Sequence, residues 1–133
     1  MKKARILGIC LLACMALMGH AQTKSWTADN GNGTFTNPLF YDEFSDPDVI
    51  RVGDDYYLAG TTMHAVPGLV ILHSKDLVNW TIINHAIGSL YEGDCKMLEH
   101  FSKPQHGNGV WAPSIRYHDG QYYIYWGDPD FGV

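Results

Sequence analysis

The sequence predicts an all-β protein built from propeller blades, and three observations carry that expectation. From Asn37 onward the chain runs in short stretches rich in Tyr, Val, Ile and Trp, separated by Gly-Asp and Asp-Gly turns. Branched and aromatic side chains suit the pleated, half-buried surface of a sheet, while glycine and aspartate suit its tight turns. No amphipathic helical period persists over the window of about 11 residues that a helix signal needs. Finally, the chain repeats itself at a constant offset of 66 residues: Pro47 falls over Pro113, Val49 over Ile115, Tyr56 over Tyr122, Tyr57 over Tyr123 and Leu58 over Ile124.

The first hairpin joins Val49-Ile50-Arg51-Val52 to Tyr56-Tyr57-Leu58-Ala59 through the loop Gly53-Asp54-Asp55, with glycine supplying the turn. Leu69-Val70-Ile71-Leu72 and Trp80-Thr81-Ile82-Ile83 add a third and a fourth strand. His73 to Asn79 turns between them, and Trp80 is expected against the next sheet. A second hairpin pairs Ser114-Ile115-Arg116-Tyr117 with Tyr122-Tyr123-Ile124-Tyr125 around His118-Asp119-Gly120-Gln121. A four-stranded unit used repeatedly is the anatomy of a propeller blade. One blade leaves sheet surface uncovered, so blades stack around an axis, typically about 4–8 together. The chain therefore reads as one full blade and part of a second, a piece of a domain of about 300 residues if five such units close the ring.

The N-terminus has a different character. Met-Lys-Lys-Ala-Arg precedes an apolar run from Ile6 to Met18 and then Gly19-His20-Ala21, the charged, apolar and small-residue order of a secretory signal peptide. The expected organisation is a signal peptide over 1–21, a flexible lead-in over 22–36, and the truncated propeller domain over 37–133. Leu11-Leu12-Ala13-Cys14 offers a lipoprotein site that would leave Cys14 lipidated, but its bulky second position and very short apolar run weigh against it. The run is too short to span a bilayer, which takes about 20 residues. The mature chain is thus expected in the periplasm or outside the cell, with no membrane span.

Cleavage after Ala21 removes Lys2, Lys3 and Arg5 and no acid, so 9 basic residues fall to 6 against 14 acidic ones, a net charge of −8. Such a surface repels phosphate backbones, which argues against nucleic acid as a partner. Cys10 and Cys14 leave with the signal, so Cys95 stands alone in the mature chain. That excludes an intramolecular disulfide and a cysteine-built metal cluster.

Asp46-Pro47-Asp48 precedes the first strand. Aspartate and proline are ordinary turn residues, yet a carboxylate at the mouth of an innermost strand, stiffened by a neighbouring proline, is also well placed as a general base. The wider context bears on the choice. Phe44-Ser45-Asp46-Pro47-Asp48-Val49-Ile50-Arg51-Val52-Gly53-Asp54-Asp55-Tyr56-Tyr57-Leu58, then Pro67-Gly68-Leu69, then His73-Ser74-Lys75-Asp76-Leu77-Val78-Asn79-Trp80, and finally Gly109-Val110-Trp111-Ala112-Pro113-Ser114-Ile115 resemble, in order, the N-terminal part of glycoside hydrolase family 43. The resemblance covers about residues 37–133.

It implies a five-bladed β-propeller, of which this chain holds only the first blade and part of the second. The implied activity is inverting hydrolysis of O-glycosyl bonds in plant-wall pentose carbohydrates, of β-xylosidase or α-L-arabinofuranosidase type, on an oligosaccharide or polysaccharide substrate. Asp46 takes the place of the general base. The family's pKa-tuning Asp and general-acid Glu belong to later blades, so the chain by itself is expected to be inactive. Trp111 is expected in the pocket wall, the competing account being core packing. His64 and Asp128 are expected to contact sugar hydroxyls, with Asp130 a further candidate; a structural histidine and a strand terminator are the plainer accounts. Ser114 stands where many family members carry Asp, which weakens any polar role there.

No metal site is expected. His100 and His106, with Asp94, Cys95 and Glu99, match no zinc spacing; the resemblance leaves room for a central calcium in the full-length protein, as in many relatives, though no ligand set for it is visible in this chain. The long connection from Gly88 to Gly109 is expected over a rim, where it favours exo-action. A non-catalytic sugar-binding propeller or an inactive truncated product is the competing reading of the whole chain.

Overall fold

The structure, a computed structural model, describes residues 27–88 and 106–129. The described residues form six strands. β1 (Asp48–Val52), β2 (Asp55–Gly60), β3 (Gly68–Ser74) and β4 (Trp80–Ile87) make one antiparallel sheet in chain order, and β5 (Trp111–His118) pairs with β6 (Gln121–Gly127) in a second. Every strand read from the sequence is present, each of them one or more residues longer.

The 66-residue repeat is a repeat of register. Val49 pairs with Leu58 as Ile115 pairs with Ile124, and Val52 pairs with Asp55 as His118 pairs with Gln121. The Val52–Asp55 pair shortens the first loop to two residues, Gly53 and Asp54, instead of the three expected. Gly53 has φ 61°, and glycine at the first central position meets the demand of a primed hairpin turn for positive φ. Asp119 and Gly120 close the second hairpin with φ 48° and 80°, the pair of left-handed residues that a type I′ turn uses.

Neighbouring side chains of β3 point to opposite faces, and the two cores follow from that alternation. Val70 and Leu72 join Leu58 on one face, beneath Phe40, Phe44 and Trp80. Leu69 turns the other way and meets Ile87, Val110, Ile124 and Trp126, so this second cluster joins the two sheets. Trp80 therefore packs on its own sheet and not on the next. Its indole Nε1 donates to the Leu77 carbonyl at 2.9 Å, and this bond across the turn folds the ring back over Leu72.

The lead-in also carries local structure. Asn30 and Thr36 donate backbone bonds to Thr34 and Ala28, Ala28 is buried, and Asn79 Nδ2 donates to Asp29 at 2.9 Å. The last part of the expected flexible segment thus lies as a small closed turn against the β3–β4 connection.

Candidate active site

In an antiparallel meander, odd-numbered strands start and even-numbered strands finish at the same end of the sheet. That end collects Asp46 before β1, His64 between β2 and β3, Trp111 at the start of β5 and Asp128 after β6. All four sequence candidates therefore share one rim of the two blades.

Asp46 is exposed and holds φ at 46°. Aspartate tolerates the left-handed region better than most residues, but the conformation still needs support from its surroundings. One support is backbone: the Thr61 amide donates to the carbonyl of Ser45 at 3.1 Å, tying the residue before Asp46 to the end of β2. Ala112 occupies the repeat position equivalent to Asp46 and has φ 26°, so the left-handed step belongs to the blade entrance, and the carboxylate is what distinguishes the first blade.

Trp111 and His64 come together through one peptide. The indole Nε1 of Trp111 donates to the Gly107 carbonyl at 2.9 Å, and the Gly107 amide donates to Nδ1 of His64 at 3.2 Å. His64 also lies against His106, with ring centroids 5.1 Å apart. The two loops are stitched further by a reciprocal backbone pair between Met63 and Val110, and by the Thr61 hydroxyl donating to the Val110 carbonyl. Trp111 is 40% exposed while its neighbour Val110 is 1% exposed. Adjacent side chains on an extended chain point to opposite faces, so with Val110 turned into the cluster of Leu69 and Ile87 the indole faces the other way. Among the described residues Trp111 belongs to neither core cluster.

Asp128 is buried at 5% exposure, so it presents little surface at the rim. An open pocket of about 550 Å³ lies beside His64, bounded by Glu43, Ser45, Thr62, Val70, Ile82 and His85 among others. Asp46, Trp111 and Asp128 are not among its lining residues. The described residues thus bring Trp111 and His64 together, with Asp46 on the same rim and Asp128 set inside. Asp130 and the loop residues Asp94, Cys95, Glu99 and His100 lie outside the described residues.

Asp48 is the functional candidate that sequence reasoning passed over. Its Oδ2 accepts the Ile115 amide at 2.9 Å and Nη1 of Arg116 at 2.6 Å, joining the mouth of β1 to β5. Burial pushes this carboxyl up, but hydrogen bonds from Arg116 and the Ile115 amide, the Arg116 charge and Ser114 outweigh it and hold the group below the usual carboxylate value. The available signal was the repeat itself, which sets Asp48 against Ser114 and so marks an acid that the second blade does without.

Among the described residues no three His, Cys, Asp or Glu side chains converge as a cation site.

A four-stranded antiparallel blade with a matching hairpin stacked against it defines the class as a β-propeller. The chain belongs to the glycosyl hydrolases family 43, whose sequence model matches residues 35–132. It is 39% identical over 116 residues to a beta-xylosidase of Formosa agariphila, an alignment covering 85% of this chain and 19% of that protein. It is 44% identical over 91 residues to a non-reducing end alpha-L-arabinofuranosidase of Bacteroides ovatus, covering 68% and 16%. Among solved structures, a bifunctional GH43-CE protein of Bacteroides eggerthii superposes with a TM-score of 0.62 at 41% identity, over 73% of this chain and 14% of that one. The chain spans about a fifth of the length of the curated relatives it matches. The sheet β1–β4 is the first blade of the family's five-bladed propeller, and β5–β6 is part of the second.

Proposed function

We propose that this chain supplies the first blade and part of the second of an exported, inverting glycosidase that removes pentose units from plant-wall carbohydrate, with Asp46 as its general base. The observation that carries the reading is the Asp46 carboxylate itself: exposed, at the mouth of the innermost strand, and held on a left-handed backbone beside a proline. The family membership and the xylosidase and arabinofuranosidase relatives support the substrate class.

In this reading the ionised Asp46 takes a proton from water as the water oxygen attacks the anomeric carbon. The glycosidic C–O bond breaks on the opposite face, where a carboxylic acid from a later blade protonates the departing oxygen. Inversion requires the two carboxyl groups to stand about 6.5–9.5 Å apart, leaving room for that water. The exposed face of Trp111 stacks on the C–H surface of the sugar, and His64, steadied by the Gly107 amide, contacts a hydroxyl. Export follows from the 1–21 segment, which N-terminal sequencing of the secreted protein checks by a start at Gln22.

The test is hydrolysis of aryl β-xyloside and aryl α-arabinofuranoside by the full-length protein and its Asp46→Asn variant, with the anomer of the first product read by NMR. Loss of a general base costs about 10²–10⁴-fold in kcat, so Asp46→Asn is expected to fall by that factor and the product to form with inverted configuration. Cleavage unaffected by Asp46→Asn, or a retained configuration, overturns the assignment.

A further inference from the structure

We propose that Asp48 is a positioning residue for Asp46: by clamping the mouth of β1 to the edge of β5, it sets where the base stands relative to Trp111. The inference rests on the reading of Asp46 as the base and extends it.

The two acids are separated only by Pro47, whose ring fixes one of the intervening backbone torsions. A restraint on Asp48 is therefore passed to Asp46 through few free dihedrals. The clamp is two-pronged. Oδ2 of Asp48 accepts the Ile115 amide at 2.9 Å and Arg116 Nη1 at 2.6 Å, while the same Nη1 donates to the Ile115 carbonyl at 2.6 Å. Both polar groups of Ile115 are thereby tied to the Asp48–Arg116 pair, and Ile115 lies four residues beyond Trp111 on the same strand. From the other side, Val110 is held by Met63 and Thr61. Base and wall sit on different blades, and these two ties bracket the wall.

The charge pair alone does not explain the arrangement. The side chains of Arg116 and Asp48 are 62% and 30% exposed, and ion pairs so open to water contribute little. The bond to the Ile115 amide is the directional element, since it fixes a side-chain oxygen against a strand backbone. The equivalent position in the second hairpin is Ser114, one atom shorter and uncharged, so of the two blades described here the first carries the acid, two residues from the base. Catalytic geometry gives the reason: a misplacement of about 1 Å can cost about 100-fold, and the left-handed Asp46 persists only where its neighbours over-determine it.

The test uses the full-length protein with Asp48→Ala, Asp48→Asn and Asp48→Ser, reading kcat, KM and the thermal midpoint. Asp48→Ala is expected to lower kcat by about 10–100-fold with KM within about threefold, at temperatures well below unfolding. Asp48→Asn, whose amide oxygen still accepts the Ile115 N–H, is expected to recover most of kcat. Asp48→Ser takes the place of Asp48→Ala if the latter does not fold, with the same outcomes. A normal kcat with an earlier melt overturns the proposal, because the clamp is then only structural; so does an Asp48→Asn variant as slow as Asp48→Ala. Asp46→Asn run alongside separates the two ideas. If Asp46→Asn stays active, the base assignment itself falls. If it is inactive while Asp48→Ala keeps its kcat, only the positioning role falls.

Discussion

The Gly107 amide donates to Nδ1 of His64 at 3.2 Å, a bond between residues 43 positions apart, and through it the loop after β2 holds the approach to β5. Because the Gly107 carbonyl accepts Trp111 Nε1, a change at His64 is transmitted to the indole. His64→Ala removes one hydrogen bond worth about 1 kcal/mol and, on the proposed reading, loosens a binding surface rather than the reacting groups. The full-length enzyme is then expected to show KM raised about fivefold with kcat within about twofold, the pattern of lost uniform binding. His64→Asn, which keeps an acceptor, is expected in between. Steady-state kinetics on aryl pentosides check both.

Asp76 closes the connection between β3 and β4 by accepting four hydrogen bonds: from Val78 N at 2.9 Å, Asn79 N at 2.7 Å, Asn79 Nδ2 at 2.9 Å and Ser74 Oγ at 3.0 Å. The Asn79 side chain, then the Asn79 and Val78 amides, hold its carboxyl far below the usual carboxylate range. A folded-state pKa below the unfolded one contributes stability above about pH 4 that is lost as pH falls through the folded value. The turn is exposed, so water screens most of that shift. Asp76→Ala is expected to cost about 1 kcal/mol at neutral pH, the usual worth of a capping side chain. Its acid-induced loss should also be shallower than that of the unchanged protein. Urea melts at a series of pH values measure both.

Local pattern made the strands and their registers legible, because each hairpin is specified within about a dozen residues by alternation and a glycine or aspartate turn. The 66-residue offset carried that legibility to the level of the blade. What stayed hidden depends on contacts between blades. Asp48 reaches Ile115 and Arg116 only once two sheets stack, and nothing near Asp48 in the chain announces its partner. The side chosen by Trp80 was hidden for a related reason: its burial on Leu58, Val70 and Leu72 follows from a fold-back bond to Leu77, and strand periodicity does not encode a turn's hydrogen bond. At the rim, the repeat equates Asp46 with Ala112, both left-handed. Sequence can report that one is an acid, but not that both share a backbone step.

Gly60 ends β2 where Phe44 crosses the sheet. A methyl group there would sit 3.2 Å from Val70 Cγ1 and 3.4 Å from Phe44 Cβ, and Val70 is buried in the first core cluster. Two effects oppose. Restricting the unfolded chain by Gly→Ala favours folding by about 0.4–1 kcal/mol, whereas overpacking a tight contact costs about 1–3 kcal/mol. Neither neighbour is the loose end of a flexible side chain, so the clash wins. Gly60→Ala is expected to destabilise by about 1 kcal/mol, with the denaturant midpoint lowered and the slope unchanged. A midpoint at or above that of the unchanged protein would show that Phe44 yields freely.

Tyr122 and Tyr57 meet between the two blades with ring centroids 5.0 Å apart. Partial burial, the hydrogen bond with Tyr57 and the nearby Tyr57, Tyr117 and Asp55 push the Tyr122 phenol up to about 12. The folded-state value lies above the unfolded one of about 10, so the neutral phenol favours the folded form. That stabilisation is complete below about pH 10 and is lost as pH rises through about 12. Its sources are the contact with Tyr57 between blades and the cross-strand Tyr117 within the second hairpin, so alkali should loosen both the interface and that hairpin. Tyr122→Phe keeps the ring and removes the ionising oxygen. It is expected to flatten the loss of stability between about pH 10 and pH 12 and to remove a phenolate that appears near pH 12 in the ultraviolet absorbance of the folded protein. An unchanged alkaline profile in Tyr122→Phe would assign the loss to another group and remove Tyr122 from the interface's pH response.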